Sequence, residues 1–315
     1  MGAAGGKRKE NAMYVVTGAT GNTGRVIAET LLAKGKKVRV MGRNAERLQS
    51  LVEKGAEAFV GSVTDGSAMM RAFQGAQAVY FLVPPDYATE NFRAYQNEVG
   101  KAASSAIRQA GVPFVVNLSS VGAHLAEGAG PISGLYDVEQ QFNQLQQVNV
   151  VHLRAGFFME NLFFSLDLIR NQNINGTPLR GDLSLPMIAT RDIAEVAAQR
   201  LLSLDFSGHS TRELLGQRDI SMQEATRIIG KAIGKEDLTY VQFPYEQAEQ
   251  AMVGMGLSRD VARSLNEMDR AINEGRVRPL EKRGAANTTP TSFEQFAEDF
   301  AAVYRSQEGA KAKGV

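Results

Sequence analysis

The chain has 315 residues, 43% hydrophobic and 22% charged, with a formal net charge of +1 at pH 7. That is enough apolar material for a large buried core, and too little excess basic charge for a general nucleic-acid surface or an acidic polymer. There is no cysteine, which excludes disulfides, thiolate nucleophiles and cysteine metal sites; the three histidines, His124, His152 and His209, form no HxxH or HExxH pair, so no metal is expected.

In chain order, the opening MGAAGGKRKE lacks the apolar stretch of a signal peptide and residues 1–12 read as a flexible tail. No run of about 18 apolar residues is present to span a bilayer, so the expectation is a cytoplasmic protein with no membrane partner. Six strand-sized runs follow: MYVV (13–16), KVRVM (37–41), AEAFV (56–60), AVYFLV (78–83), PFVVNL (113–118) and VNVVHL (148–153). Each is rich in β-branched or aromatic residues. Between the first two, Val26, Ile27, Thr30 and Leu31 share one helical face and Gly35 supplies the stop, which makes a βαβ unit. Strands alternating with helices predict an α/β fold: a doubly wound parallel sheet, covered on both faces, over 13–156. Beyond it, GFFMENLFFSL is apolar and aromatic, NQNINGTPLRGDLSLP reads as a loop, and helical patterns dominate from 221. A smaller, mostly helical lobe is therefore expected over 157–188 and 217–305, with a helix at 189–202 returning to the first domain and a second flexible tail at 306–315. Within 246–275 a Met/Leu helical face serves either lobe packing or a subunit contact; no oligomeric state follows from it.

The strongest local signal is VVTGATGNTGR, in which Gly18, Gly21 and Gly24 lie between a strand and an amphipathic helix. Such glycines let backbone N–H groups approach a pyrophosphate at the positive end of the helix. After the second strand, VRVMGRN presents Arg43 where NAD-preferring proteins carry a carboxylate; a guanidinium suits a ribose 2′-phosphate, which predicts NADP(H) over NAD(H). After the third strand, Asp65 either bonds the adenine amino group or caps the next helix.

With these motifs the chain resembles the NmrA-like proteins, atypical members of the short-chain dehydrogenase/reductase group. The resemblance rests on VTGATGNTGR (16–25), VRVMGRN (38–44), GSVTD (61–65), VVNLSS (115–120), HLRAGFFMENL (152–162), ATRDIAEVAA (189–198) and TPTSFEQFAEDF (289–300). It implies a Rossmann domain, a smaller C-terminal lobe and a cleft between them. By position, Gly18, Thr20, Gly21, Asn22, Thr23 and Gly24 would hold the pyrophosphate, Arg43 the 2′-phosphate and Asp65 the adenine. Leu82, Val83 and Pro84 would line the adenosine and nicotinamide ribose; Gly156, Phe157 and Phe158 would close over the nicotinamide, and Asn161 would face the cleft.

Reductases of the broader group use a serine after the fifth strand, a tyrosine, and a lysine four residues on that lowers the tyrosine's pKa. Here GLYDVEQQF offers Ser119 or Ser120, then Tyr136, then Gln140 in place of the cation. Gln140 can still bond a ribose hydroxyl; Tyr136 stands as a proton donor, a cleft-lining residue or ordinary packing. The expected substrate cleft is Pro85, Val121, Tyr136, Phe158, Met159, Asn161 and Phe164, within an aromatic cluster that includes Phe157 and Phe163 and whose alternative is packing between lobes. Glu160 reads as a cap or ion-pair partner, and Asp192 as a helix-dipole residue. Two functions follow: an NADPH-dependent reductase of quinone-like, dye-like or related carbonyl acceptors, or a cofactor-sensing regulator that signals to a protein partner.

Overall fold

Alternation along the inner strands builds the sheet, because both of its faces are buried there. In the computed structural model, which describes residues 12–312 with side chains through 306, MYVVT forms β1 (Met13–Thr17). Its Tyr14 and Val16 enter one apolar layer and Val15 the other. The elements then run α1 (Asn22–Ala33), β2 (Lys37–Gly42), α2 (Ala45–Val52), β3 (Glu57–Val60), α3 (Gly66–Phe73), β4 (Ala76–Phe81), α4 (Phe92–Ala110), β5 (Phe114–Ser120), α5 (Pro131–Phe142) and β6 (Asn149–Ala155). The same alternation puts Ala78 and Tyr80 of β4 in the first layer and Val79 and Phe81 in the second.

After β6 come β7 (Phe157–Phe158), a short 3-10 helix (Met159–Ser165), α6 (Leu166–Gln172), β8 (Ile174–Thr177), β9 (Ser184–Ile188), α7 (Thr190–Ser203), β10 (His209–Leu214), β11 (Asp219–Ser221), α8 (Met222–Ile233), β12 (Thr239–Gln242), α9 (Tyr245–Gly254), α10 (Arg259–Asn273) and α11 (Phe293–Ala312). The main sheet has the order β10-β6-β5-β4-β1-β2-β3 and is parallel throughout. Its strand order reverses between β1 and β4, which opens a crevice beyond their carboxyl ends. The return helix α7 packs Ile193, Ala194, Ala197 and Leu201 beside Ile27 and Leu31 of α1 in the first layer. A separate apolar cluster joins the 3-10 helix, α6, α8 and α11 through residues such as Leu162, Ile169, Ile229 and Phe300.

Three expectations change. The sheet has seven strands, not six; the seventh, β10, is the edge strand HSTREL, whose polar sequence carries no apolar run before Leu214. The stretch read as a loop before 189 carries β8 and β9, which pair with β12 and with β7 and β11 in two small sheets. Helix α11 runs to Ala312, through part of the expected C-terminal tail; residues 1–11 and 313–315, where most of the rest of the two expected tails falls, lie outside the described residues. No described helix is long and apolar enough to cross a membrane.

His152, on β6, is 1% exposed. Asn117 Nδ2 donates to its Nδ1 at 2.9 Å, so its Nε2–H donates to Asn143 Oδ1 at 3.1 Å and the ring is neutral. Burial pulls its pKa down to about 4 from 6.5. Between those values the unfolded chain takes up a proton that the folded chain refuses. His152 therefore adds stability above pH 6.5 that is lost as pH falls, at about 1.4 kcal/mol per pH unit. Asp269 of α10, pushed up to about 7 by burial, tilts the opposite way over this window. The effect is therefore read as a difference: urea melts from pH 7 to 4.5 should show His152→Gln losing less stability on acidification than wild type. Equal losses would mean that His152 is not the group responsible.

Candidate functional site

Gly18 turns the chain after β1 at φ +59°, and Gly21 N–H closes the turn on the Gly18 carbonyl at 2.9 Å. Helix α1 then starts behind Gly21 with no side-chain cap and no acidic residue in its first turn. By contrast α2, α3 and α4 are capped by Asn44, Asp65 and Asn91. The amides at the start of α1 are thus left for an anion, as a dinucleotide pyrophosphate requires. Gly24 permits this geometry: a Cβ there would overlap the Gly18 carbonyl. Buried Tyr80 of β4 donates to Thr23 Oγ1 at 2.9 Å, tying α1 to the sheet, and Tyr95 of α4 donates to the Pro84 carbonyl at 2.8 Å, which holds the loop after β4.

These segments form one wall of a cavity of about 530 Å³ over the crevice. Gly18, Thr20, Gly21, Asn22 and Thr23 line it, as do Leu82, Val83, Pro84 and Pro85 after β4. The ends of β5 and β6 contribute Ser119, Val121, Gly156, Phe157 and Phe158, and the 3-10 helix contributes Asn161. Gly156 is held under the Pro186 carbonyl, which a Cβ would strike. Arg43 and Asp65 are not among the residues of the wall. Arg43 is exposed and has no hydrogen bond or ion pair to another described residue. Asp65 Oδ1 accepts from Ser67 N, Ala68 N and Ser67 Oγ at 2.9, 3.0 and 2.7 Å, so it caps α3, the second of its two expected roles, and is drawn to low pKa by those bonds.

The expected Tyr136–Gln140 pair does not reach the cavity. Ile132 and Leu135 of α5 line it instead, while Tyr136 is half-buried off the wall and Gln140 is exposed. Each lies one residue, about 100°, round the helix from Leu135 and Glu139. Glu139, 1% exposed, is the residue that meets Ser119: Ser119 Oγ donates to its Oε1 at 2.6 Å. Arg154 on β6 grips the same carboxylate with Nε at 3.0 Å and Nη2 at 2.6 Å, and its Nη2 also donates to the Ala123 carbonyl at 3.3 Å. A carboxylate so held only accepts, so the Ser119 proton is committed to it and the oxygen offers lone pairs to the cleft. Tyr136→Phe is accordingly expected to change NADPH turnover by less than about twofold. A loss of a hundredfold in steady-state assays would return Tyr136 to the chemistry.

The aromatic cluster divides in the same way. Phe157 and Phe158 line the cavity; Met159 is 1% exposed inside the apolar cluster that joins the 3-10 helix, α6, α8 and α11; Phe163 stacks on Phe300 at 5.2 Å between centroids; and Phe164, 76% exposed, faces solvent. In a 3-10 helix successive side chains point in different directions, which a reading by composition misses. Glu160 caps α7, accepting from Thr190 N at 2.9 Å and Oγ1 at 2.6 Å, with burial pushing its pKa up. Asp192 does more than balance a dipole: buried, it accepts from Thr291 N at 3.0 Å and from Thr291 Oγ1 at 2.5 Å, tying α7 to the chain before α11. Sequence reasoning missed the far wall: Leu185, Pro186, Met268, Ile272, Val277 and Arg278. The i, i+4 pair Met268 and Ile272 was its only signal. A second hollow, of about 750 Å³, lies between α10 and the loop before α5, away from the glycine turn. Charges of both signs line it, Arg93, Arg263, Asp260 and Glu267 among them.

Comparison with known proteins fits this arrangement. The chain is 28% identical over 260 residues to an NAD(P)H azoreductase of Xenophilus azovorans, covering 81% of this chain and 86% of that protein. An NADPH-dependent quinone oxidoreductase from Escherichia coli, crystallised with NADPH, gives a TM-score of 0.76 at 20% identity, over 91% of this chain and 99% of that one. NmrA, a negative transcriptional regulator crystallised with NADP, gives 0.70 at 18% identity, over 96% and 98%. Both likenesses bear on the fold. The family model described as the NmrA-like family matches residues 10–298, from the approach to β1 into α11, and the chain belongs to that family.

Proposed function

We propose that the protein is an NADPH-dependent reductase that passes hydride to a flat aromatic acceptor of the quinone or azo type. The observation that carries this is the cleft's chemistry. It runs from the uncapped start of α1 to an apolar chamber, and among the described residues no Asp, Glu, His, Tyr or Lys lines it. Three hydroxyls on its wall are turned away as donors: Ser119 to Glu139, Ser120 to the Val121 carbonyl at 2.9 Å, and Thr190 to Glu160. A reaction that needs a side-chain acid has no donor of suitable pKa here. A quinone does not need one: hydride arrival leaves a phenolate-like oxygen, and water supplies the proton that completes the hydroquinone. When bound, NADPH supplies that hydride; the chain's own part is to hold acceptor and dinucleotide in contact and to keep water from the face where they meet.

NADPH oxidation followed across quinones and azo dyes, with NADH alongside, tests the proposal. Acceptor-dependent turnover supports it, and tight NADPH binding with no turnover on any acceptor rejects it. Arg43 accounts for the cofactor preference in this reading: Arg43→Ala should raise the Kd for NADPH about tenfold and leave NADH little changed. An equal loss on both would remove Arg43 from the 2′-phosphate. The likeness to NmrA favours a second reading, a sensor whose affinity for a protein partner changes with NADP(H). For it, pull-downs with and without NADP(H) should differ while the acceptor panel stays silent.

A further inference from the structure

Among the described residues Arg278 is the one charged side chain that lines the cleft, and it is exposed. It belongs to the segment after α10, more than 150 residues beyond the serines of β5, and that segment is clamped on both sides of it. Before it, Val277 sits against Gly122, where a Cβ would be 2.9 Å from its Cγ1, and Arg276 Nη1 donates to the Gly128 carbonyl at 2.6 Å. After it, Pro279 restricts the backbone, and buried Glu213 of β10 accepts from Leu280 N at 3.0 Å and Glu281 N at 2.9 Å. The guanidinium itself makes no hydrogen bond or ion pair with another described residue. The nearby carboxylates are already engaged, Glu139 with Arg154 and Glu213 with backbone amides. Burial first and then Arg154 hold the pKa of nearby His124 low, with Arg278 adding to them and Glu213 and Glu139 opposing.

The pyrophosphate is a poor partner for this charge. The glycine turn follows β1, whereas the segment of Arg278 is held between Gly122, just after β5, and Glu213 of β10, two and four strands from β1. At about 4.8 Å per strand those anchors lie roughly 10 and 19 Å across the sheet. Around it the wall is apolar: Ile132, Leu135, Met268, Ile272 and Val277.

We infer that Arg278 determines acceptor specificity by taking a sulfonate or carboxylate carried on an otherwise flat, apolar aromatic substrate. The inference rests on the reductase reading for what happens to that substrate, but not for its binding. It is tested first without turnover, by fluorescence titration of naphthalene-2-sulfonate and its neutral isostere naphthalene-2-sulfonamide into protein saturated with NADP+. Wild type should prefer the sulfonate by about tenfold, as a charge-assisted contact at a partly open site provides. Arg278→Gln should abolish that preference and leave the sulfonamide within about twofold, and Arg278→Lys should keep part of it. No sulfonate binding to wild type, a preference that survives Arg278→Gln, or equal loss of both ligands would each overturn the inference. Kinetics with 1,4-naphthoquinone and its 2-sulfonate then separate the two claims. If neither is reduced but the binding preference stands, the reductase reading fails and the anion site remains.

Discussion

Gly24→Ala is expected to raise the Kd for NADPH by about a hundredfold or more, the equivalent of losing two charge-assisted backbone hydrogen bonds. The reason lies in the packing of the turn. An added Cβ would overlap the Gly18 carbonyl and stand 3.0 Å from Ala19 Cα, both of them backbone, so no flexible side chain can give way. Relief requires α1 to move off the turn. Its buried face, Ile27, Ala28 and Leu31, is fully enclosed in the sheet's first layer and resists that movement. The methyl should therefore also cost about 1–3 kcal/mol of stability, as overpacking does. Titration of NADPH fluorescence and a parallel thermal melt check both effects. Binding within about threefold of wild type would show that the amides of α1 are not what holds the dinucleotide.

The second large effect is expected at Glu139. Its carboxylate is 1% exposed and takes both the Ser119 hydroxyl and the fork of Arg154, itself only 12% exposed. Glu139→Gln keeps the shape but leaves a guanidinium buried without its counter-charge. Breaking a buried pair from one side costs about 3–5 kcal/mol, whereas replacing both partners is often close to neutral. Chemical denaturation of Glu139→Gln, Arg154→Met and the double variant should give a coupling energy of more than about 1.5 kcal/mol, with the double variant more stable than Glu139→Gln alone. Strict additivity would mean that the pair is not coupled. Because Glu139 also fixes the Ser119 proton, acceptor kinetics should suffer more in Glu139→Gln than in Tyr136→Phe, although only the tyrosine fits the familiar spacing.

The site was legible where its geometry is local. Gly18 and Gly24 are six residues apart on one turn and touch each other, so the spacing in VVTGATGNTGR specifies the contact. The inner strands of the sheet were legible because both of its faces are buried there and leave dense β-branched runs, and the edge strand β3 because EAFV ends in an apolar run although none of its residues is buried. β10 was not: HSTREL is polar up to its final leucine and writes no such run.

Two decisions belong to the tertiary structure alone. The first is which face of α5 meets the cleft. The sequence supplies Tyr136 and Gln140 four apart, but Leu135 and Glu139 are also four apart, and periodicity cannot choose between them. Packing against α4 makes the choice. Gly100 leaves room for Val138 and Gln141, and Gly134 leaves room for Gln96; these close approaches set the rotation of α5 and send Tyr136 off the wall. The second is the far wall, where Met268, Ile272, Val277 and Arg278 come to the cleft from a distant stretch of chain, held by the Glu213 clamp and by Gly122. The sequence by itself determined the doubly wound sheet and the nucleotide turn, because those depend on neighbours along the chain. What faces the nucleotide was decided only by folding, because it depends on how helices rotate against each other and on which distant segment closes the cleft.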